Sequence, residues 1–359
     1  MTPPTPQAGF WKGMGQIGLA LATFGRSYRR FDWVTGEDER HVARTADGWN
    51  LSLYRFRARG TPKPFPVICS HGMAGSHFIY DLHPDYSLAR FLAARGFDVW
   101  LVDLRGRLDS WPDGGPDRSL QWCFDDFVAK DFPAVLDRVL ELSGAPRAFW
   151  LGMEMSGQIL YAAAIAGLAG RLSGGITCGS PVLTPATAQM PGVTSAPHGR
   201  SKGRVPYRGG SRFAGPVLGY GGFKVIDNSF RKCNLVPLAV ARYFRNGIPD
   251  EATDLIEQFT DWVQNGVMRT RDHAVVYSDR LAEVTLPLLV LVAEHDLQRP
   301  ADAVQAAYEA FGSPDKTLVR AGTATGFSVD FGHDDLLAGL ASPGEVFPRI
   351  ADWLDAHGA

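Results

Sequence analysis

The first candidate for chemistry is Glu154, a carboxylate that stands where a buried strand gives way to a helix. The segment from Ala148 to Tyr161 (AFWLGMEMSGQILY) has the pattern of a strand, a sharp turn and a helix. A turn of this kind lifts one side chain above the edge of a sheet, where it can reach a substrate. A carboxylate in that position can act as a nucleophile or as a general acid or base.

Short apolar strands alternate with helices along most of the chain. Strands are predicted at His41–Thr45, Asn50–Phe56, Pro66–Ser70, Asp98–Val102, Arg147–Leu151, Gly174–Cys178, Leu286–Ala293 and Thr317–Arg320. Helices are predicted at Ser87–Arg95, Phe124–Leu142, Gln158–Leu168, Ala301–Phe311 and Val346–His357. This alternation predicts an α/β fold, with a mostly parallel twisted sheet and helices on both faces. The first two strands, joined at Ala46-Asp47-Gly48, are expected to form a hairpin.

The alternation stops between Pro181 and Val284. There the chain is rich in Gly, Pro, Arg and Ser up to Gly222, and then becomes helical at Leu235–Phe244 and Ala252–Asn265. An insertion that does not extend the rhythm predicts a cap or lid over the site, and an irregular excursion with no such role is the alternative. We therefore expect a lead-in of residues 1–40, a core of residues 41–180 and 285–359, and a cap of residues 181–284.

Two features of the expected cap could serve a substrate. Lys202, Arg204, Arg208 and Arg212 lie among glycines and could bind an anionic group, but a solvated loop explains them better. The run Gly219-Tyr220-Gly221-Gly222 is a candidate hinge for lid opening. This run is not a phosphate-binding loop, because no Lys-Ser or Lys-Thr pair follows it.

The composition is that of an ordinary globular protein, with 45% hydrophobic residues, 21% charged residues and a formal net charge of −2. This balance excludes a disordered tail and a broad basic surface for nucleic acid. The four cysteines are far apart, which indicates free thiols in a reducing cytoplasm. No apolar run reaches the roughly 18 residues that a membrane span needs. We expect a cytoplasmic protein with a small-molecule substrate, no cofactor and no nucleic-acid partner, and leave the oligomeric state open.

Two further patterns suggest functions that we do not adopt. Gly13–Gly25 has features of a weak signal peptide, but an amphipathic surface helix or lead-in explains it better. His77, Asp81 and His83 lie close together in the sequence, but they show no helical i, i+4 face for a metal ion. We therefore predict no metal site.

Four motifs, in the right chain order, resemble the α/β-hydrolase family, in particular its lipase-, esterase- and polyester-synthase-like members. Leu151–Gly157 (LGMEMSG) is similar to the nucleophile elbow V-G-H-S-M-G-G, and His71–Gly75 (HGMAG) to the oxyanion-hole loop. Phe97–Gly106 (FDVWLVDLRG) is similar to the strand that follows, and Phe331–Leu337 (FGHDDLL) to the catalytic-histidine loop. The resemblance extends over most of the chain, and it implies an α/β-hydrolase fold and a hydrolase-like activity.

The resemblance also implies roles for the matching residues. His333 takes the place of the catalytic base, and Asp296 that of the acid that orients it. Glu294 competes for the acid role, but it lies at a strand end where its side chain should alternate away. The oxyanion hole would use the backbone N–H groups of Met73 and Met155, and the substrate pocket would include His71, Met153 and Ser156.

This sequence departs from the family at the nucleophile position, where Glu154 replaces serine. Three interpretations remain open. Glu154 could be the nucleophile of an atypical Glu-His-Asp triad, attacking an ester, an epoxide or a carbon–halogen bond. It could be a general acid or base of a lyase, cyclase or isomerase, with its pKa raised by a dry pocket. The site could also be an inactive ligand-binding pocket. Ser156 is a minor alternative nucleophile, because it would lie on the first turn of the helix.

Overall fold

One nine-stranded sheet forms the centre of the computed structural model, which describes residues 29–115, 121–182, 203–221, 224–227 and 229–358. The strands are β1 (Glu39–Arg44), β2 (Trp49–Phe56), β3 (Val67–Ser70), β4 (Val99–Asp103), β5 (Trp111–Pro112), β6 (Ala148–Met153), β7 (Leu172–Cys178), β8 (Leu288–Ala293) and β9 (Lys316–Ala321). Their order across the sheet is β1-β2-β4-β3-β6-β7-β8-β9, with β5 paired to β2.

The sheet is parallel from β4 to β9, as predicted. β1 and β2 form the expected antiparallel hairpin, in which His41 lies opposite Leu53 and Gly48 takes a φ of 86° in the turn. The antiparallel part extends further than expected, because β2 also pairs antiparallel with β4 and with the short β5. β5 has only two residues, too few for an alternating pattern in the sequence to reveal.

Eleven helices are named here in the described part of the chain. They are α1 (Leu88–Ala94), α2 (Phe124–Asp126, Phe127–Asp131 and Phe132–Ser143, the middle stretch with π-helical hydrogen bonds), α3 (Met155–Ile165), α4 (Arg208–Gly221), α5 (Lys224–Asp227), α6 (Pro237–Arg242, followed by a π-helical turn Tyr243–Gly247), α7 (Thr253–Asn265), α8 (Ala301–Ala310), α9 (Asp335–Ala338), α10 (Ser342–Glu345) and α11 (Phe347–His357). Short 3-10 turns lie at His77–Tyr80, Pro84–Tyr86, Lys232–Asn234, Tyr277–Glu283 and Thr323–Thr325.

Both faces of the sheet are buried against helices. In β6 the side chain of Trp150 joins one hydrophobic cluster, where its ring lies 4.6 Å from that of Phe132 in α2. The neighbouring Phe149 points to the opposite face and contacts Trp353 of α11 at 6.0 Å between ring centroids. Because both faces are covered, the central strands read as continuous apolar runs rather than alternating ones.

The residues between β7 and β8, called the β7–β8 segment below, carry α4 to α7 and add no strand to the sheet in their described part. The sequence pattern predicts no helix at α4 and a candidate hinge, Gly219–Gly222, at its end. Instead, Gly215 and Gly219 let α4 approach α6 closely, since a Cβ on Gly215 would lie 2.8 Å from the Arg245 nitrogen and one on Gly219 2.8 Å from Ala241. The hinge prediction is therefore wrong for Gly219–Gly221, which are helical, and Gly222 lies outside the described residues.

The N-terminal lead-in is described only from Arg29, so the predicted segment Gly13–Gly25 lies outside the described residues. Near its end, Trp33 donates its indole N–H to the Asp81 carbonyl at 2.6 Å, and the Gly36 N–H donates to the Asp81 carboxylate. These bonds tie the lead-in to the core. Among the residues that the structure describes, no helix is both long and apolar enough to cross a bilayer.

The junction of β6 and α3 leaves no room for a side chain at Gly152. A Cβ there would lie 2.5 Å from the backbone nitrogen of Gly157, an atom that cannot move without shifting α3. We expect Gly152→Ala to lower the free energy of unfolding by about 1–3 kcal/mol, the range for overpacking. Urea unfolding measures this, with Gly170→Ala as the control because a Cβ at Gly170 meets nothing within 4 Å. Equal stability of the two variants would contradict the tight junction.

Candidate active site

Glu154 occupies a strained turn between β6 and α3. Its φ is 49° and its ψ −110°, a conformation that residues with side chains rarely adopt. The backbone holds it there, because the Glu154 N–H donates to the Cys178 carbonyl at 2.8 Å and its carbonyl accepts from Gly157 at 3.0 Å. The side chain is 3% exposed and faces a cavity at the carboxyl edge of the sheet. The predicted strand–turn–helix is therefore present.

Two partners hold the Glu154 carboxylate. Oε2 accepts the Met73 backbone N–H at 2.7 Å, from the loop after β3. Oε1 accepts Nε–H of Arg299 at 3.0 Å and a second N–H from Nη2 of the same guanidinium. Of the two amides predicted for an oxyanion hole, that of Met73 thus contacts the carboxylate, while Met155 is buried as the first residue of α3.

These contacts decide the charge of Glu154. Burial by itself would raise its pKa, but Arg299, His333 and the Met73 N–H together outweigh burial and lower the pKa below its ordinary value. The acid–base interpretation expected a raised pKa, and that expectation is wrong. The physical reason is the buried guanidinium of Arg299, which sequence reasoning did not place at the site.

His333 and Asp296 form the predicted pair. His333 Nδ1 lies 2.6 Å from Asp296 Oδ2, and Asp296 Oδ1 accepts the backbone N–H groups of Gln298 and Arg299 at 2.8 and 2.7 Å. Burial alone would lower the pKa of His333, but the Asp296 carboxylate outweighs it and raises the pKa to about 9. His333 is therefore an imidazolium at neutral pH while Glu154 is ionised.

The competing acid is elsewhere. Glu294 accepts two hydrogen bonds from Arg320, at 2.8 and 2.9 Å, and does not line the cavity. Gly179 supports the Asp296 pair instead, because its φ of 57° and missing side chain leave space for the His333 ring, 3.1 Å from where a Cβ would lie. The preference for Asp296 over Glu294 agrees with this geometry.

The cavity has a volume of about 560 Å³ and a lining of mixed polarity. Its polar lining residues include Glu154, Gln298, Arg299, His333 and Asp334. The β7–β8 segment contributes Leu218, Tyr243, Phe244 and Ile248. Such a lining fits a small molecule with an apolar body and one reactive polar group.

The three predicted pocket residues have different positions. Met153 and His71 line the cavity, and burial lowers the pKa of His71 to about 4, so its ring is neutral. His71 orders the loop, with Nδ1–H on the Gly72 carbonyl at 2.8 Å and Nε2 accepting from Leu104. Ser156 does not line the cavity, and this prediction is wrong. It lies on the first turn of α3, and that turn buries its hydroxyl under the elbow.

A buried ion pair supports the Met73 loop from the β7–β8 segment. Arg107 donates to both oxygens of Glu251, at 3.1 and 2.7 Å, and neither side chain is exposed. Glu251 Oε2 also accepts the N–H of Ala74, the residue after Met73, at 3.1 Å. The backbone of Glu251 pairs with Val205 just before α4. Glu251 thus joins the Met73 loop to the β7–β8 segment.

The described arginines of the expected cap do not line the cavity, which agrees with the favoured interpretation of a solvated loop. Arg204 pairs with Asp250, and Arg208 and Arg212 are exposed and absent from the cavity lining; Lys202 lies outside the described residues. Arg299 is the arginine that reaches the site. The sequence could have pointed to Arg299, because it follows Asp296 by three residues after a buried strand. No local pattern could have paired Glu251 with Arg107, because 144 residues separate them.

The described residues contain no group of three metal-ligating side chains. His77 lies against Asp103 at 2.8 Å, and Asp81 accepts from Arg90 at 2.6 Å, so these two side chains have structural partners. They are accounted for by packing of the lead-in and the loop after β3.

Part of this chain is similar in sequence to known proteins. Residues 66–201 match a family model described as the alpha/beta hydrolase fold. Lipase 1 of Drosophila melanogaster is 35% identical over 122 residues, which is 32% of this chain and 27% of that protein. Lipase member K of Homo sapiens is 32% identical over 139 residues, covering 35% and 34%. The matched regions span about a third of the length of these relatives.

Solved structures are similar over most of their length. An esterase from Thermogutta terrifontis superposes with a TM-score of 0.56 at 17% identity, covering 89% of this chain and 100% of that chain. A soluble variant of monoglyceride lipase from Saccharomyces cerevisiae superposes with a TM-score of 0.59 at 17% identity, covering 90% and 96%. At this identity the likeness concerns the fold.

The Arg107–Glu251 pair predicts a stability effect. Glu251→Gln leaves the Arg107 charge uncompensated in the interior, so we expect a loss of about 3 kcal/mol in the free energy of unfolding. Urea unfolding measures this, and Glu283→Gln is the control because its pair with Arg280 is exposed and should not change the stability. A Glu251→Gln variant as stable as the control would show that the pair does not join the two parts.

The raised pKa of His333 predicts a pH dependence of stability. Because the pKa is higher in the folded state, the protonated pair contributes stability that is complete below about pH 6.5 and is lost as the pH rises through 9. His333→Gln should therefore be less stable than wild type at pH 6.5, and the difference should shrink towards pH 10. Urea unfolding across this range measures it. In an Asp296→Asn background the same substitution should lose this pH dependence, and its persistence would contradict the assigned cause.

Proposed function

We propose that this chain, which has the α/β-hydrolase fold as predicted, is a hydrolase that acts on an apolar small molecule. Glu154 is the nucleophile, His333 the base, and Asp296 orients His333 and balances its charge. The lipases and esterases among its relatives support hydrolysis. The observation that carries the proposal is the contact between Glu154 Oε2 and the Met73 N–H, because it aims one carboxylate oxygen at an oxyanion donor.

A nucleophilic carboxylate must be ionised and accessible. The lowered pKa of Glu154 keeps it ionised at neutral pH, and its side chain lines the cavity. Its strained backbone fixes the direction in which the carboxylate points. These features favour nucleophilic attack over proton transfer, for which an ionised carboxylate with a low pKa is a weak base.

The first step is attack on an sp³ carbon. A lone pair of Glu154 Oε1 forms a bond to the carbon, and the bond from that carbon to the leaving atom breaks with its electron pair on the leaving atom. The product is a neutral glutamyl ester. Its carbonyl oxygen is Oε2, which already accepts the Met73 N–H.

In the second step, water attacks the glutamyl carbonyl carbon. Esterification removes the negative charge of Glu154, a neighbour that favours the imidazolium form of His333. Because Asp296 still favours that form, the step uses the fraction of His333 that has lost its proton to solvent. Neutral His333 takes a proton from the water, and negative charge develops on Oε2, next to the Met73 N–H.

Attack on an acyl carbon fits the site less well. It would give an anhydride, and carboxylates are weak nucleophiles towards acyl groups. The Met73 N–H that an incoming ester carbonyl needs is already occupied by Glu154 Oε2. We therefore place alkyl halides, epoxides and other molecules with an electrophilic sp³ carbon ahead of simple acyl esters as substrates.

The apolar residues of the cavity lining indicate the body of the substrate. Leu218, Phe244 and Ile248 of the β7–β8 segment line the same cavity as the reacting residues. We propose that this segment acts as the cap of the site, holding an apolar group and excluding water from the ester. The volume of about 560 Å³ fits a molecule of modest size.

Trapping the ester tests the proposal. His333→Gln removes the base of the second step but not the nucleophile, so we expect it to accumulate one covalent adduct when incubated with terminal epoxides, bromoalkanes or alkyl esters. Intact-mass spectrometry measures the added mass, and peptide mapping should place it on Glu154. Glu154→Gln should form no adduct and should lose roughly 10³-fold or more in turnover of any substrate found.

His41→Gln is the matched control, because His41 lies on the edge strand β1 and should leave turnover unchanged. Turnover retained by Glu154→Gln would exclude Glu154 as the nucleophile. Ligand binding without turnover or adduct for all three classes would instead favour an inactive pocket.

A further inference from the structure

Arg299 contacts Glu154 directly, but neither step of the proposed reaction gives it a role. Its side chain is 7% exposed, and its Nε–H and Nη2–H groups both point at a single atom, Oε1 of Glu154. The remaining Nη1 donates to the Gln298 carbonyl at 3.0 Å, and the backbone N–H donates to Asp296. These contacts hold the backbone and the guanidinium of Arg299 in place. Two N–H groups of the guanidinium are thereby directed at one carboxylate oxygen.

The two carboxylate oxygens of Glu154 therefore have different donors. Oε2 has the Met73 N–H, and Oε1 has the guanidinium of Arg299. In the proposed reaction the two oxygens also have different fates. Oε2 stays on the glutamyl carbon and carries the oxyanion, whereas Oε1, bonded to the substrate carbon in the first step, must separate from the glutamyl carbon in the second.

We propose that Arg299 is a catalytic residue of the second step, in which its two N–H groups hold Oε1 as that oxygen leaves Glu154 together with the alkyl group. The inference rests on the proposed function and gives the departing oxygen two hydrogen-bond donors besides the proton that His333 returns to it. A guanidinium suits this role because it stabilises charge on oxygen without giving up a proton.

The glutamyl ester is cleaved through a tetrahedral intermediate. Water adds to the glutamyl carbon and passes one proton to His333, which leaves a tetrahedral carbon bearing Oε2 as an oxyanion, a hydroxyl and Oε1–alkyl. The bond from carbon to Oε1 breaks, and its electron pair goes to Oε1, next to Arg299. The imidazolium of His333 returns its proton to Oε1, which gives the alcohol. The glutamic acid that remains loses a proton to solvent and again pairs with Arg299.

Charge in the buried site supports this assignment. Before the reaction, Arg299 is balanced by Glu154, and Asp296 balances His333. Esterification removes the negative charge of Glu154 and leaves Arg299 uncompensated beside Oε1. Asp296 does not replace it, because one of its oxygens already contacts His333 and the other accepts the backbone N–H groups of Gln298 and Arg299. Negative charge on the departing oxygen is what restores the balance.

The test separates the two steps. Loss of the guanidinium in Arg299→Met should raise the pKa of Glu154, so the first step should survive only above that pKa. The second step should slow by roughly 10²–10³-fold, the cost of losing oxyanion donors. We therefore expect Arg299→Met, with His333 intact, to accumulate the covalent adduct at pH 8.5 with the substrate class that labels His333→Gln. Rapid-quench intact-mass spectrometry measures formation and decay of the adduct separately. A purely structural role would slow both steps together and leave no adduct.

Arg320→Met is the matched control, because its guanidinium pairs with Glu294 outside the cavity, and it should turn over without visible adduct. If Arg299→Met fails to fold, Arg299→Lys and Arg299→Gln decide by the same criterion. Lysine keeps the charge without the fork and should accumulate less adduct than glutamine.

The outcomes distinguish the inference from its premise. If His333→Gln is labelled at Glu154 but no Arg299 variant accumulates adduct, the role of Arg299 is wrong and the nucleophile stands. If no variant is labelled at all, the nucleophile itself is wrong, and the role of Arg299 falls with it.

Discussion

The contact on which the site depends is the buried carboxylate of Glu154 between the Arg299 guanidinium and the Met73 N–H. A lone carboxylate with 3% exposure would take up a proton, because an isolated charge in the interior is costly. The guanidinium keeps it ionised, and the amide fixes which oxygen faces the loop. Much else around the site, including the strained turn at Glu154 and the buried Arg107–Glu251 pair, holds these three groups in place.

The sheet brings the groups together. Met73, Glu154, Asp296 and His333 follow β3, β6, β8 and β9, whose carboxyl ends meet at one edge because these strands run parallel. Groups separated by more than 250 positions in the chain therefore line one cavity. Four of the ionisable groups at the site form two pairs, Glu154 with Arg299 and Asp296 with His333. This pairing explains how these four side chains are buried together, because each has a group of opposite charge beside it.

The same arrangement shows why a carboxylate at the elbow differs from a hydroxyl. A hydroxyl would leave the Met73 N–H open for a substrate carbonyl, whereas the longer carboxylate fills that place itself, and a Cβ on Gly72 would lie 2.9 Å from Oε2. The missing side chain at Gly72 makes room for Glu154. The shape of the pocket and the chemistry at its centre therefore depend on the same side chain.

The sequence by itself determined the alternation of strands and helices, the hairpin, the strained turn at Glu154 and the pairing of His333 with Asp296, because apolar periodicity and short motifs are local signals. It did not determine the helix Arg208–Gly221, whose glycines serve contact with another helix, or the burial of Ser156. Above all, it left the charge of Glu154 open and expected a raised pKa in one interpretation. Only the tertiary structure decided that charge, since it depends on Arg299, a residue 145 positions away whose distance to the carboxylate no local pattern encodes.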